Sequence, residues 1–269
     1  MDSRPIGIFD SGLGGLTALR ALHRLMPDES FIYFADSGRN PYGTKTPAQL
    51  RRMAQQDLDF LAEFDCKAIL AACGTVSSTV PDLLDSYRIP SFGVLRASIE
   101  AMSQIPGNAP LGVIATEASI RSGSYKNALS PLCPGREIIA LPAQNFVRLV
   151  ETGHTNPNDP ELKAAVEEYL KPMKDAGICA LLLGCTHFPI ISQAIGEYLG
   201  RDVELVSASD CAALKLREYL VSTDASGNGH AVRYFTSADT QSFERGAIAF
   251  LGRVSARAEH IAPKEVADA

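Results

Sequence analysis

The chain lacks the features that a nucleic-acid or membrane partner would require. It carries 25 Lys and Arg against 31 Asp and Glu, for a formal net charge of −6, and shows no arginine clusters. No basic face is available to gather phosphates or anionic lipid. No apolar run approaches the roughly 18 residues of a membrane span. The opening M-D-S-R-P-I-G-I-F-D has no charged stretch followed by an apolar core, as a secretory leader would. The cytoplasm is the expected location. Cysteine is also scarce: the six residues at 66, 73, 133, 179, 185 and 211 are too few and too irregular for a secreted disulfide framework. They read as reduced thiols, with Cys66, Cys133, Cys179 and Cys211 expected to be small buried hydrophobes. Low-complexity segments and short-period repeats are absent. What is present, 269 residues with 46% hydrophobic content and 16 prolines, is enough for a full core in one large domain or two smaller ones.

Strand-like and helix-like segments alternate almost to the end, the rhythm of an α/β protein with parallel-rich sheets. Apolar runs predict strands over 6–9, 31–34, 67–72, 89–95, 111–115, 137–140 and 232–235, and another leading into Cys185. Leu16, Leu19, Leu22 and Leu25 share one face of a helix over 16–25. Thr46, Pro47 and Gln49 have the spacing of a capping box that opens a helix running to about 64. Asp159 and Pro160 open a long helix to about 176. Other helices are expected from 77 or 78, over 119–129, from 145, over 210–220 and over 241–251. The rhythm breaks and restarts near residue 96, where a domain boundary is placed.

Two segments echo one another. K-A-I-L-A-A-C-G-T at 67–75 and C-A-L-L-L-G-C-T-H-F-P at 179–189 each run apolar residues into small ones, then into a cysteine and a helix start. A buried parallel strand delivers a side chain to a cleft in this way. The proposal from spacing is that Cys73 and Cys185 face one substrate. Inverting a carbon that bears a weakly acidic hydrogen needs a base on one face and an acid on the other, and two similar groups serve both directions. A thiolate can act as the base if its pKa, about 8.5 when free, is lowered by a helix start or a donor. Asp10, at the end of the first strand, is expected near Cys73, and His187 near Cys185.

Other readings of these residues stand beside that one. Strand-terminal cysteines are often structural, and His187 could simply bond a carbonyl. A zinc site is disfavoured because no C-x-x-C pair or close second histidine supports tetrahedral spacing, and a redox pair is weak. Gly12, Gly14 and Gly15 match part of a phosphate-binding fingerprint but not its full spacing. They read instead as a tight turn that leaves Asp10 and Ser11 pointing into a cleft. Asp36 and Tyr42 read as hydrogen-bonding residues of a loop.

The runs I-F-D-S-G-L-G-G-L-T (8–17), A-D-S-G-R-N-P-Y-G (35–43), C-G-T-V-S-S (73–78) and G-C-T-H-F-P (184–189) resemble the signatures of bacterial glutamate racemase. The similarity covers most of the chain. It implies two similar three-layer α/β domains with the active site in the cleft between them: 1–96 with 207–262 carrying Cys73, 97–206 carrying Cys185, and a disordered tail over 263–269. It also implies a cofactor-independent, metal-free racemase that interconverts L- and D-glutamate for peptidoglycan synthesis, with Cys73 and Cys185 as the catalytic thiols and Asp10 and His187 assisting. Asp10, Ser11, Pro41, Tyr42, Gly43, Gly74, Thr75, Thr186 and His187 match substrate-binding positions, and Thr116 and Glu151 match positions lining the pocket. Dimers are common in that family, which makes a homodimer a candidate assembly. One residue departs from the pattern: Gly74 stands where the family usually has asparagine. This removes an amide that would contact the substrate, and keeps open an aspartate racemase or a non-catalytic amino-acid-binding relative.

Overall fold

The computed structural model describes residues 2–252 and 256–263. Its ten strands are β1 (Ile6–Asp10), β2 (Phe31–Ala35), β3 (Ala68–Ala71), β4 (Ser91–Gly93), β5 (Leu111–Ala115), β6 (Ile138–Pro142), β7 (Ala180–Leu183), β8 (Glu204–Ser207), β9 (Val232–Thr236) and β10 (Ala258–His260). They form two all-parallel sheets, one in the order β10-β9-β2-β1-β3-β4 and the other β6-β5-β7-β8. Helices cover the faces of both sheets, and β1, β2, β3, β5 and β7 are buried along their whole length. Burial on both faces is why these strands read as continuous apolar runs instead of alternating ones. The fold is the expected α/β architecture. Of the expected tail over 263–269, residues 264–269 lie outside the described residues.

The echo between the two cysteine segments is carried by the topology. In each sheet the first strand lies between the second and the third, and the fourth follows the third: β2-β1-β3-β4 in one, β6-β5-β7-β8 in the other. Each cysteine stands just past the third strand, Cys73 after β3 and Cys185 after β7. The sheets differ in size because β9 and β10, after the chain has returned from the second sheet, add to the edge of the first. Helices Val94–Ser103 and Ala208–Ser222, which carry the chain out and back, pack against one another.

Helix starts follow their local signals. Thr46 Oγ1 accepts from the Gln49 N–H at 3.2 Å while Gln49 Oε1 accepts from the Thr46 N–H at 3.0 Å, completing the capping box ahead of helix Pro47–Ala62. Asp159 caps Pro160–Asp175 by accepting from the N–H groups of Glu161 and Leu162. Other elements depart from the expectation. The helix after Cys73 starts at Gly74, and the hydroxyl of Ser77 bonds back to the Cys73 carbonyl at 3.0 Å inside it. The strand expected over 89–95 shrinks to β4 because a helix begins at once at Val94. The helix expected over 119–129 breaks at Gly123, whose φ of 72° lies in the left-handed region. The short edge strands β8 and β10 and helices Pro81–Ser86 and Ser192–Leu199 went unforeseen. Cys179 and Cys211 are only half-buried, and Cys179 Sγ lies 2.7 Å from the Arg136 guanidinium at the rim of β7. No helix among the described residues is long and apolar enough to cross a membrane.

Candidate active site

In a sheet ordered 2-1-3-4 the loops leaving the first and third strands run in opposite directions, opening a crevice at their carboxyl ends. Asp10 and Cys73 stand at that crevice in the first sheet, Thr116 and Cys185 in the second. The two crevices meet in one cavity of about 30 Å³. Its walls include Asp10, Ser11, Pro41, Tyr42, Gly43, Cys73, Gly74, Thr75, Thr116, Cys185, Thr186 and His187, so twelve of the thirteen residues singled out from the sequence converge here. Glu151 is the thirteenth, and it stands behind His187 instead of lining the cavity. Asn40, Gln144 and Val147 also line it. The loop after β6 leads into helix Asn145–Glu151, and the carboxyl end of a neighbouring parallel strand was the signal available for Gln144 and Val147. A space this small holds about one water.

The two thiols have different surroundings. Cys185 Sγ lies 3.7 Å from His187 Nδ1, and His187 Nε2 lies 3.1 Å from Glu151 Oε1. Burial alone disfavours a charged imidazole, but contacts with Cys185 and Glu151 outweigh it and push His187 up to about 10. A cation therefore sits beside Cys185 across the neutral range. Cys73 Sγ is 3.9 Å from Ser11 Oγ. Burial, and then the charge of Asp10, push its thiol up to about 12. The helix start that was expected to lower it is outweighed: the helix has six residues, and a fully buried thiolate loses its hydration. Asp10 is itself raised by burial, though His187 and the N–H of Gly12 oppose this. Its carboxylate accepts from Gly12 N at 2.9 Å and from Thr186 Oγ1 at 3.3 Å, tying the first sheet to the second. Among the described residues no His, Cys, Asp or Glu cluster could hold a metal ion.

Two glycines of the D-S-G-L-G-G loop, Gly14 and Gly15, are required by close approach and not by an unusual backbone. Neither Gly12, Gly14 nor Gly15 has positive φ. A Cβ on Gly14 would lie 2.2 Å from Thr186 Oγ1 and 2.6 Å from the His187 ring, so the D-S-G-L-G-G loop can lie against the second cysteine segment only without a side chain there. At Gly74 a Cβ would lie 2.4 Å from the Gly184 carbonyl oxygen. That carbonyl also accepts from Tyr125 Oη at 3.0 Å and is thereby held in place. Gly184 has no room either, since its Cβ would meet the Ile114 carbonyl at 2.9 Å. The space an asparagine would need is thus filled by backbone. Around this contact the hydroxyls of Thr75, Thr116, Ser119 and Ser78 form a chain, with Thr75 to Thr116 at 3.1 Å and Ser78 to Ser119 at 3.0 Å.

The arrangement puts two thiols in one cavity, each within reach of the other's charge, one biased toward the thiol and the other beside a fixed cation. An acid and a base so placed can move a proton off and onto one carbon. The sequence family described as Asp/Glu/hydantoin racemase matches residues 16–216. The chain is similar to the glutamate racemase of Geobacter metallireducens, 36% identical over 259 residues and 94% of each chain. Among solved structures it is similar to a glutamate racemase of Bacillus anthracis, 28% identical with a TM-score of 0.90. It is also similar to that of Francisella tularensis in complex with D-glutamate, 33% identical with a TM-score of 0.87. In both structural cases 97% of this chain and 98% of the other are covered.

Proposed function

The chain belongs to the Asp/Glu/hydantoin racemase family, in its glutamate branch, and from that premise we propose that it moves the α-proton of glutamate between Cys73 and Cys185 without a cofactor. The observation that carries this reading is the pair of thiols, one past the third strand of each sheet, meeting across one cavity. One thiolate removes the α-proton from one face and the opposite thiol returns a proton to the other, so the enzyme emerges with its proton moved to the other sulfur. L- and D-glutamate interconvert, and the D-enantiomer serves peptidoglycan synthesis and so cell shape. His187, kept charged by Cys185 and Glu151 and oriented by Glu151, places a cation beside the Cys185 sulfur. Burial, and then the charge of Asp10, keep Cys73 as the proton donor in the same half-reaction. The polar rim of Ser11, Thr75, Thr116 and Thr186, with the backbone of Pro41–Gly43, receives the carboxylates and ammonium of the substrate. Residues 1–96 with 207–262 then form one domain and 97–206 the other, with the substrate entering between them. The enzyme works in the cytoplasm, where free glutamate is available, as a monomer or homodimer.

The direct test is proton NMR of L-glutamate, D-glutamate and L-aspartate incubated with the reduced enzyme in deuterated water. Both glutamate enantiomers are expected to lose their α-proton signal and aspartate to keep it. Exchange with aspartate alone would move the substrate, and exchange with none would leave a binding protein.

The pH dependence follows from the same groups. His187 carries its charge below about 10 and loses it as the pH rises through that value. Cys73 remains a thiol until about 12. Turnover is therefore expected to fall as the pH rises through about 10, with His187 setting the limb. An alkaline limb that stays in place in His187→Gln would refute that assignment.

A further inference from the structure

Helix Pro47–Ala62 turns Leu50, Met53, Ala54, Leu58 and Leu61 to the core, and the remaining buried position on that face is Asp57, with no exposure at all. An acid breaks the apolar stripe there, and a buried carboxyl must be paired or neutral. Asp57 Oδ1 accepts from Arg39 Nη2 at 2.7 Å, and Oδ2 lies 2.9 Å from Tyr42 Oη. The same Tyr42 hydroxyl bonds Asp36 Oδ2, and Asp36 also accepts from Arg39 Nε at 2.6 Å and from Ser237 Oγ at 2.7 Å.

Counting protons constrains this cluster. One phenol hydrogen faces two carboxyl oxygens and can serve only one of them. One guanidinium balances one carboxylate. Both conditions are met when Asp57 keeps its proton and donates to Tyr42 Oη, which donates in turn to Asp36. Burial and the neighbouring charge of Asp36 act in the same direction, raising Asp57 well above the usual carboxylate range. The cluster clips residues 36–42 to the helix beneath them. Just beyond, Gly43 faces the second sheet's residues, where a Cβ would lie 3.4 Å from Gln144 Oε1.

We propose that Asp57 is a positioning residue for the substrate: through Tyr42 and Arg39 it sets the height at which the Asn40–Gly43 backbone meets a glutamate carboxylate, without touching the substrate itself. This rests on the reading of that segment as part of the glutamate site. The test compares Asp57→Asn, Asp57→Leu and Tyr42→Phe by thermal melting, steady-state racemisation and calorimetric titration with D-glutamate. Asparagine keeps an N–H toward Tyr42 and an oxygen toward Arg39, reproducing a protonated aspartate, and is expected to leave KM and Kd within about twofold of wild type. Leucine removes both contacts and is expected to raise KM and Kd about tenfold with kcat nearly unchanged, the pattern of lost uniform binding. If the leucine variant does not fold, Tyr42→Phe, which deletes only the hydroxyl, carries the same expectation. A folded Asp57→Leu or Tyr42→Phe with wild-type KM and Kd overturns the proposal, as does an Asp57→Asn as impaired as the leucine variant. A wild type that binds glutamate without turning it over overturns the racemase reading alone, because the affinities still rank the variants. One that binds no glutamate overturns both.

Discussion

Replacing either Cys73 or Cys185 by alanine is expected to lower racemisation of both enantiomers by about 10³-fold or more, the upper part of what a positioned acid or base contributes. The loss should be symmetric because each sulfur is base in one direction and acid in the other. The sharper expectation concerns what remains. A sulfur reaches only one face of the α-carbon, so Cys73→Ala should retain slow deuterium exchange with one glutamate enantiomer and Cys185→Ala with the opposite one, neither with inversion. Chiral chromatography combined with NMR in deuterated water reads both properties. A single variant with full two-way turnover, or two variants exchanging the same enantiomer, would refute the two-base scheme. Serine variants sharpen the comparison, because an alkoxide is far harder to form than a thiolate in the same buried place.

Gly74→Asn, which restores the residue usual in the resembling family, is expected to lower kcat/KM by about 10²-fold in this chain. The reason is local. The Gly184 carbonyl occupies the place of the new Cβ at 2.4 Å and is backbone, held by Tyr125 Oη. Overpacking of this kind costs about 1–3 kcal/mol and is relieved by moving something. What moves is the Gly184–Cys185 segment, and with it one of the two sulfurs. A lower melting temperature should accompany the loss of rate. Gly74→Ala, with the same Cβ and no amide, should show a comparable defect, which separates the steric cause from any gain of a substrate contact. Wild-type kcat/KM in both variants would mean that the two halves part freely at this point and that Gly74 is not a contact on which they close.

How much of this was legible in the sequence varies with the physics involved. The central strands could be read because burial on both faces leaves only apolar residues in them, and the cysteines ending β3 and β7 stand out against those runs. Helix starts at Thr46 and Asp159 could be read because a cap is made by residues a few positions apart. Edge strands could not: β8, E-L-V-S, is short, half-exposed and recognisable only by its pairing with β7. The glycines of D-S-G-L-G-G were legible as special, but for Gly14 the reason lay far along the chain, in Thr186 and His187. Glu151 was legible as an acid of the site, yet its place behind His187 depends on how helix Asn145–Glu151 packs. Asp57 was not legible, since nothing along helix Pro47–Ala62 tells a buried acid from an exposed one until Arg39 and Tyr42 are folded over it.

The sequence by itself therefore determined the α/β rhythm and the two cysteine-ended strands, because each follows from short-range pattern, while the reaction was carried by the resemblance of four runs to a known family. The tertiary structure decided the rest. It gave both sheets the same strand order, so that residues far apart in the chain meet at one cavity. It closed the halves on backbone at Gly74 and Gly184, and it made the two thiols unequal. Ionisation depends on burial and on neighbouring charge, and both are set by which residues the fold packs together.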